Sequence, residues 1–119
     1  MTNKEKGYIG EEAAVQFLMS LGYDILERNY TVRGGEIDII AKDGNEIVFV
    51  EVKARSGYDV CASEAVDSMK ISRMLYSAER YISEKSDATE NLNIRFDCIE
   101  VYVIDGKTDI KHIKNIDVT

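Results

Sequence analysis

The stretch GGEIDIIAKDGNEIVFVEVKAR, residues 34–55, decides the fold of this 119-residue chain. Its two halves, residues 36–42 and 46–55, are rich in β-branched residues and flank a central Asp-Gly-Asn sequence. Asp-Gly between two such runs is a strong signal for a β-hairpin, because these residues readily adopt the backbone angles of a tight turn. We therefore predict two antiparallel strands, and the second is apolar enough to lie centrally in a sheet.

The other elements follow from the spacing of apolar residues on either side of this hairpin. We predict, in chain order, a helix over about 8–21, a strand over 23–32, the hairpin, a loop over 56–63, a helix over about 64–85, a linker over 86–93, a strand over 94–105 and a weaker strand near 109–113. This order predicts an α/β (mixed) fold, in which helices flank a central mixed sheet of four to five strands. The length suits a single domain over residues 1–119.

Composition limits the classes of function that need consideration. No apolar run approaches the roughly 20 residues of a membrane helix, and the start of the chain has no secretory signal, so we expect a cytoplasmic protein without a membrane partner. Cys61 and Cys98 form no CxxC pair and share the chain with one histidine, His112, which makes a zinc site or disulfide improbable. We expect both thiols to be small, partly buried hydrophobic groups.

The net charge of −7 means that the chain as a whole repels a polyanion. Bulk electrostatics therefore do not suggest a nucleic-acid partner. A site that holds divalent cations is nevertheless rich in carboxylates, and a bound metal reverses the local sign of the charge. The basic residues are also concentrated in the middle of the chain, where local charge can still attract phosphate.

Three charged residues of the hairpin are predicted to share one face of the sheet. Glu51 and Lys53 are two residues apart on the apolar second strand, so their side chains point the same way. Asp38 lies across from Phe49 if the turn holds two residues, or from Glu51 if it holds four, and either register puts it on that face. Burying such groups is unfavourable unless they pair or bind a ligand. Hard carboxylate ligands suit Mg²⁺ or Mn²⁺.

Two further acids are candidates for the same site. Glu11, rather than Glu12, extends the apolar stripe of the first helix. A position near Asp38 and Glu51 would explain an acid on this buried face of the helix. Glu36 shares the face of Asp38 at the entrance of its strand. It is alternatively a brace for Arg33 or for the Gly-Gly turn.

Several basic residues are candidates for contact with nucleic acid. Lys70, Arg73 and Arg80 share one flank of the second long helix and suit contacts with a phosphate backbone. An ordinary solvated helix face explains them equally well. Arg33 and Arg55 are further candidates near the ends of the predicted strands.

Other residues are predicted to have structural roles. Arg95 and Asp97 share a face of the fourth strand, and we expect them to form an ion pair. His112 is predicted at the surface near the end of the chain. The tyrosines at positions 8, 23, 30 and 58 are expected to be packing or rim residues rather than platforms for bases.

Nearly the whole chain resembles the YraN family, a group of bacterial proteins regarded as predicted endonucleases and distantly similar to archaeal Holliday-junction resolvases. The motifs that carry the resemblance are Gly10-Glu11, GGEID at 34–38, VFVEVK at 48–53, Ala65-Val66 with Lys70, and Arg95-Phe96-Asp97. The resemblance implies a restriction-endonuclease-like fold of the PD-(D/E)xK class. The resemblance further implies that Asp38 and Glu51 bind metal, that Lys53 assists the attacking water, and that Glu11 completes the site. Ile37 stands where the proline of the wider motif is expected.

We therefore expect a nuclease that depends on Mg²⁺ (or Mn²⁺) and hydrolyses phosphodiester bonds in DNA, including branched DNA. A homodimer would suit a two-fold symmetric junction. Two alternatives stay open. A non-catalytic nucleic-acid-binding or repair-complex adaptor on a nuclease fold is favoured by the acidic composition. An RNA-directed nuclease is excluded by no residue.

Overall fold

A computed structural model of the chain describes residues 2–56 and 68–118. Its elements are helix α1 (Asn3–Ser20), strands β1 (Asp24–Val32), β2 (Gly35–Asp43) and β3 (Glu46–Ser56), helix α2 (Ser68–Glu84), the short helix α3 (Ser86–Thr89), and strands β4 (Asn93–Ile104) and β5 (Lys107–Ile113). This order confirms the predicted mixed α/β fold. The predicted linker contains the four-residue helix α3. Ser56, predicted as the first residue of the loop over 56–63, belongs to β3, and the rest of that loop and the predicted helix start at 64–67 lie outside the described residues.

The five strands form one mixed sheet in the spatial order β1-β2-β3-β4-β5. Neighbouring strands are antiparallel except for β3 and β4, which are parallel and therefore need the long crossover connection that contains α2. β3 is the central strand, as its apolar sequence predicted. The parallel register pairs Glu51 with Cys98 and Lys53 with Glu100.

One helix packs on each face of the sheet. On one face, Ala14, Val15 and Leu18 of α1 pack on apolar residues of β2, β3 and β4. On the other face, Ala78 and Tyr81 of α2 pack in a second apolar cluster with residues of β2 and β3. The inner strands are therefore covered on both faces, which explains their nearly continuous apolar sequences. Within the described residues, no helix is both long and apolar enough to cross a membrane.

Two glycines allow these helices to approach the sheet closely. A Cβ atom on Gly10 would lie 2.7 Å from the Cβ of Ala54, so α1 and β3 touch at this point. A Cβ atom on Gly35 would lie 2.8 Å from the carbonyl oxygen of Arg73 and would also meet Ser77. The glycine at position 35 therefore allows α2 to pack closely against the start of β2.

The β2–β3 hairpin closes with the pair Asp43 and Glu46, and Gly44 in the turn has a φ of +60°. The turn therefore holds two residues, Gly44 and Asn45, but the register is the one predicted for a four-residue turn, in which Asp38 lies towards Glu51. The β4–β5 turn has positive φ values at Asp105 and Gly106, which suits the Asp-Gly sequence. As a result, β5 begins two residues earlier than predicted.

The prediction of a surface position for His112 is wrong. Only 8% of its side chain is exposed, and its Nε2 atom lies 2.8 Å from Oδ2 of Asp97. β5 pairs His112 with Ile99 on the face that α1 covers, where the Phe17 ring meets the imidazole edge to face. The predicted ion pair between Arg95 and Asp97 is confirmed, since Nε of Arg95 lies 3.0 Å from Oδ1 of Asp97.

The three described tyrosines among those singled out differ in exposure. Tyr8 is exposed, whereas Tyr23 is buried and its hydroxyl group accepts a hydrogen bond of 2.6 Å from Arg95. Tyr30 is partly buried and packs edge to face on Tyr81. Tyr23 and Tyr30 therefore pack as predicted, and Tyr58 lies outside the described residues.

Candidate functional site

Asp38 lies at an irregularity of β2. Ile37 and Ile40 both belong to the apolar cluster beneath α2, whereas Ile39 packs beneath α1, so the regular alternation of side chains is interrupted here. The pairing of β2 with β3 accordingly begins at Ile39, and the backbone N–H of Val52 donates a hydrogen bond of 2.8 Å to Oδ2 of Asp38. A side-chain oxygen thus occupies the place of a backbone acceptor, which holds Asp38 against β3.

Glu51 is the most deeply buried charged residue of the predicted site, with 3% of its surface exposed. It points towards α2, where the ammonium group of Lys70 forms an ion pair with its Oε1 atom. Glu51 also hydrogen bonds with the carboxyl group of Asp38. The sheet therefore brings Asp38 and Glu51 together on the face that the hairpin pattern predicted, and α2 adds a lysine to them.

The surroundings of Asp38 perturb the protonation of its carboxyl group. Burial, together with the negative charge of Glu51, raises the pKa of Asp38 to about 7, and the hydrogen bond from Val52 and the charge of Lys70 only partly oppose this. Burial lowers the pKa of Lys70, but the hydrogen bond and charge of Glu51 outweigh it and raise that pKa overall. The positive charge and the hydrogen-bond donor beside Asp38 are therefore too weak to keep its pKa at the ordinary value.

Lys53 and Glu100 extend the patch along the parallel strands. They are register partners on β3 and β4, two residues beyond Glu51 and Cys98. Glu100 is 2% exposed, and its Oε1 atom accepts no hydrogen bond from the residues that the structure describes. Its other oxygen accepts a hydrogen bond of 3.3 Å from the hydroxyl group of Tyr102.

Sequence reasoning missed Glu100, although a signal for it exists. Alternation along β4 puts Phe96, Cys98 and Glu100 on one face, and an acid in such an apolar series needs a partner. Cys98 itself is no candidate nucleophile, because burial raises the pKa of its thiol to about 11. Glu100 is therefore the additional acid of this face.

Glu11 has its described contacts on β1. Its Oε1 atom accepts hydrogen bonds from the side chains of Asn29, at 2.8 Å, and Arg28, at 3.5 Å. It is more buried than Glu12, with 17% of its side chain exposed against 39%. Asn29 precedes Tyr30, whose register partner is Ile37, so Glu11 contacts β1 beside Asp38, but it does so from α1, whereas Asp38 and Glu51 lie on the face that α2 covers. Its role as a metal ligand stays a prediction.

The remaining predicted residues lie around the patch at different depths. Glu36 is exposed, and its charge acts on Lys70. Arg73 lines a shallow groove together with Glu36 and the two glycines of the β1–β2 turn. Arg33 is exposed and Arg55 is half-buried. A contact of Arg33, Arg55 or Arg73 with nucleic acid stays a prediction.

Whether the patch suits a divalent cation depends on its donors. Among the described residues, no three His, Cys, Asp or Glu side chains are grouped closely enough to hold a metal ion. Mg²⁺, however, needs only one or two carboxylates, because it keeps several waters and takes further oxygens from a phosphate substrate. Asp38 and Glu51 meet this requirement, and a cation between them would offset the repulsion that raises the pKa of Asp38.

Comparison with known proteins gives the family of the chain. Residues 10–101 match the model of "Uncharacterised protein family UPF0102". A UPF0102 protein of Clostridioides difficile (strain 630) is 47% identical over 119 residues, covering 97% of this chain and 98% of the relative. UPF0102 proteins of Caldicellulosiruptor saccharolyticus and Alkaliphilus oremlandii are each 45% identical, covering 97% and 95% of this chain and 98% and 97% of the relatives. The chain therefore belongs to the UPF0102 family, which confirms the family resemblance of its sequence motifs.

Proposed function

We propose that this protein is a metal-dependent nuclease that hydrolyses phosphodiester bonds in DNA, including branched DNA. The observation that carries the proposal is the meeting of two acids, Asp38 and Glu51, on the face that α2 covers, where Lys70 pairs with Glu51 and the pKa of Asp38 is raised to about 7. Perturbed carboxyl groups of this kind are typical of catalytic and metal-binding sites. Lys53, two residues beyond Glu51 on the same face, completes the motif of the PD-(D/E)xK class.

Asp38 and Glu51 would hold the divalent ion, Mg²⁺ or Mn²⁺, in the proposed site. When bound, the ion supplies Lewis acidity that polarises the phosphoryl oxygen and lowers the pKa of the attacking water. The backbone N–H of Val52 donates a hydrogen bond to Oδ2 of Asp38. This bond fixes the orientation of the carboxyl group and therefore the direction of its other oxygen. Glu11 would be a further ligand in this proposal, and its Oε1 atom would then give up its hydrogen bond from Asn29.

Lys53 positions the attacking water and offsets the negative charge that develops on the phosphoryl oxygens. Its neighbour across the parallel pair is Glu100, a buried carboxylate. The strand register therefore sets a buried acid beside Lys53.

The substrate approaches from the side of the patch where α2 begins. Lys70 lies in that part of α2, and Arg73 lies one turn further along it. Arg33 and Arg55 supply additional positive charge for a phosphate backbone. A homodimer would present two such sites to the two-fold symmetric arms of a junction.

A second candidate is a nucleic-acid-binding or repair-complex adaptor without catalysis. The net charge of −7 favours it, because an acidic protein docks on basic proteins more readily than on DNA. Fold alone does not decide between the two candidates. Only cleavage that depends on the patch residues separates the enzyme from the adaptor.

The decisive experiment incubates purified wild type with labelled linear, nicked and four-way DNA and with RNA, with and without Mg²⁺ or Mn²⁺. We expect metal-dependent cleavage of DNA, lost in Asp38→Ala and lowered by about 10²-fold or more in Lys53→Ala, since Lys53 acts in the transition state. Lys53→Ala should retain metal binding, whereas Asp38→Ala should not.

Lys107→Ala is the matched control, since Lys107 is exposed and lies at the start of β5. Cleavage retained by Asp38→Ala would refute the site. Equal cleavage by all four proteins would indicate a contaminant. RNA cleavage alone would identify an RNA-directed nuclease, and binding without cleavage would support the adaptor.

A further inference from the structure

Lys70 already occupies the side of Glu51 on which a metal ion would have to bind. Its ammonium group forms an ion pair with Oε1 of Glu51, and the charges of Asp38 and Glu36 attract it as well. Lys70 comes from α2, whereas both acids come from the sheet. A separate element therefore supplies a positive charge to the two acids.

We propose that Lys70 is a resident counter-ion of the Asp38–Glu51 pair, which a divalent cation displaces, and that the displaced ammonium group then binds the phosphate of the substrate. This inference rests on the proposed function, because it takes the two acids as the metal ligands. It adds a competition between the Lys70 ammonium group and the metal ion for Glu51, which the family motif does not imply. Metal binding and substrate binding become coupled through one side chain.

The competition follows from the burial of Glu51. Only 4% of its side chain is exposed, so water cannot replace the ion pair, and the carboxylate needs a cation at all times. A divalent ion binds a carboxylate oxygen at about 2 Å. An ammonium group bound to the same oxygen would stand in its place and repel it. The two cations therefore exclude each other at Oε1.

Lys70 is able to leave without movement of the helix. Its side chain is 47% exposed, and a lysine ammonium on its flexible four-carbon stem is readily hydrated. The body of α2 is held in place one turn later, where the carbonyl oxygen of Arg73 lies against Gly35. The ion pair with Glu51 can thus break by rotation of the lysine side chain while α2 keeps its contact with Gly35.

A phosphate in the site provides the next partner for the released ammonium group. The substrate then stabilises the state in which the metal has displaced Lys70. By thermodynamic linkage, the metal strengthens substrate binding by the same factor. Lys70 consequently delays tight metal binding until substrate is present.

The first test measures Mn²⁺ binding by calorimetry to wild type, Lys70→Met, Asp38→Asn and the control Lys85→Met, whose lysine is exposed just beyond α2. We expect Lys70→Met to bind Mn²⁺ about tenfold more tightly or better, as removal of a neighbouring like charge does. Without metal, its melting temperature should fall, and Mn²⁺ should restore it. Lys85→Met should match wild type.

A second measurement uses the wild type, because Lys70→Met leaves Glu51 without its ion pair and can unfold. Lysine acetylation by a small reagent is mapped by mass spectrometry with and without saturating Mn²⁺. We expect Mn²⁺ to increase the labelling of Lys70 and to leave that of Lys85 unchanged.

The outcomes separate this inference from the proposed function. If wild type binds Mn²⁺ through Asp38 but Lys70→Met binds no better and Lys70 labelling does not rise, the inference fails and the metal site stands. If neither wild type nor Lys70→Met binds Mn²⁺, or if Asp38→Asn binds it as well as wild type does, both the inference and the proposed metal site fail.

Discussion

Asp97 and Asp38 lie on opposite faces of one sheet and have opposite surroundings. Asp97 is fully buried on the α1 face, where Arg95 binds both of its oxygens at 3.0 Å. Its carboxylate also lies 2.8 Å from Nε2 of His112 and accepts a hydrogen bond of 3.0 Å from the backbone N–H of Asn115. Asp38, on the α2 face, accepts one backbone hydrogen bond and adjoins a second acid.

The protonation of the two aspartates follows from this difference. Burial raises the pKa of Asp97, but the hydrogen bonds of His112, Arg95 and Asn115 outweigh it, so that the pKa lies below its ordinary value. Burial and the charge of a neighbouring acid raise the pKa of Asp38 to about 7. Burial alone therefore does not determine the protonation of an acid, whereas the number of hydrogen-bond donors and the charge of its neighbours do.

Arg95 links the Asp97 network to other parts of the chain. Its guanidinium group also contacts Asp43 at 3.1 Å and Glu46 at 2.8 Å, the two residues that close the β2–β3 hairpin. The network is thus satisfied by the protein itself and ties β4 to the hairpin. The Asp38–Glu51 patch, by contrast, is left in need of positive charge, which is the condition for binding a cation.

The largest expected effect is a difference in the free energy of unfolding between variants of the two aspartates. Asp97→Ala leaves a buried guanidinium group without its main partner and should lower the free energy of unfolding by about 3–5 kcal/mol. Asp38→Asn removes a charge whose raised pKa makes it unfavourable at neutral pH, so this change should not lower the free energy of unfolding at about pH 7. Urea unfolding of both variants measures the difference. Equal losses would show that both acids are structural.

A smaller effect is expected from one donor of the network. His112→Ala removes a hydrogen bond to a buried carboxylate and should lower the free energy of unfolding by about 1.5–3 kcal/mol. Lys111→Ala, at an exposed neighbouring position, is the matched control. Unchanged stability of His112→Ala would mean that Asp97 does not depend on the imidazole.

The dependence of stability on pH should have opposite signs for the two aspartates. Because the pKa of Asp38 is raised in the folded state, its contribution is present at low pH and is lost as the pH rises through about 7. The lowered pKa of Asp97 gives a contribution that is present above the ordinary pKa of an aspartate and lost as the pH falls through the lowered value.

Urea unfolding between about pH 5 and about pH 8 tests the sign for Asp38. Relative to Asp38→Asn, wild type should lose at most about 1.4 kcal/mol per pH unit as the pH rises, the limit for one proton. A wild type that gains stability over this range relative to the variant would contradict the raised pKa.

The smallest expected effect comes from an exposed ion pair of α2. Arg80 lies 3.9 Å from Glu84, and about half of each side chain is exposed. Arg80→Ala should therefore change the free energy of unfolding by less than about 1 kcal/mol. A larger loss would show that the helix flank contributes to the fold rather than being a solvated surface.

Sequence reasoning succeeded for elements that local patterns define. The Asp-Gly turn and the apolar strands beside it predicted the hairpin, and two-residue alternation placed Glu51 and Lys53 on one face. The position of Asp38 was predicted on the same face, although the irregularity of β2 that holds it there was not. That irregularity depends on which apolar residues of β2 each helix covers. The sequence of one strand does not show this.

The prediction for His112 failed because it relied on position in the chain. Nearness to the end of a sequence is a weak guide to exposure when the last strand joins the sheet. Here β5 pairs with β4, and α1 covers the imidazole. Lys70 was singled out for phosphate contact, but its ion pair with Glu51 depends on where the crossover helix lies above the sheet.

The sequence by itself determined the strand order along the chain, the shared face of Asp38, Glu51 and Lys53, and the family, because alternation and turn chemistry act over a few residues. The tertiary structure decided which acid obtains donors and which does not. Asp97 interacts with Arg95 of β4, His112 of β5 and the backbone N–H of Asn115. Asp38 instead adjoins Glu51 of β3, and the charge of Lys70 from α2 acts on it. Protonation in the interior depends on such distant neighbours, since charges and donors act through space rather than along the chain.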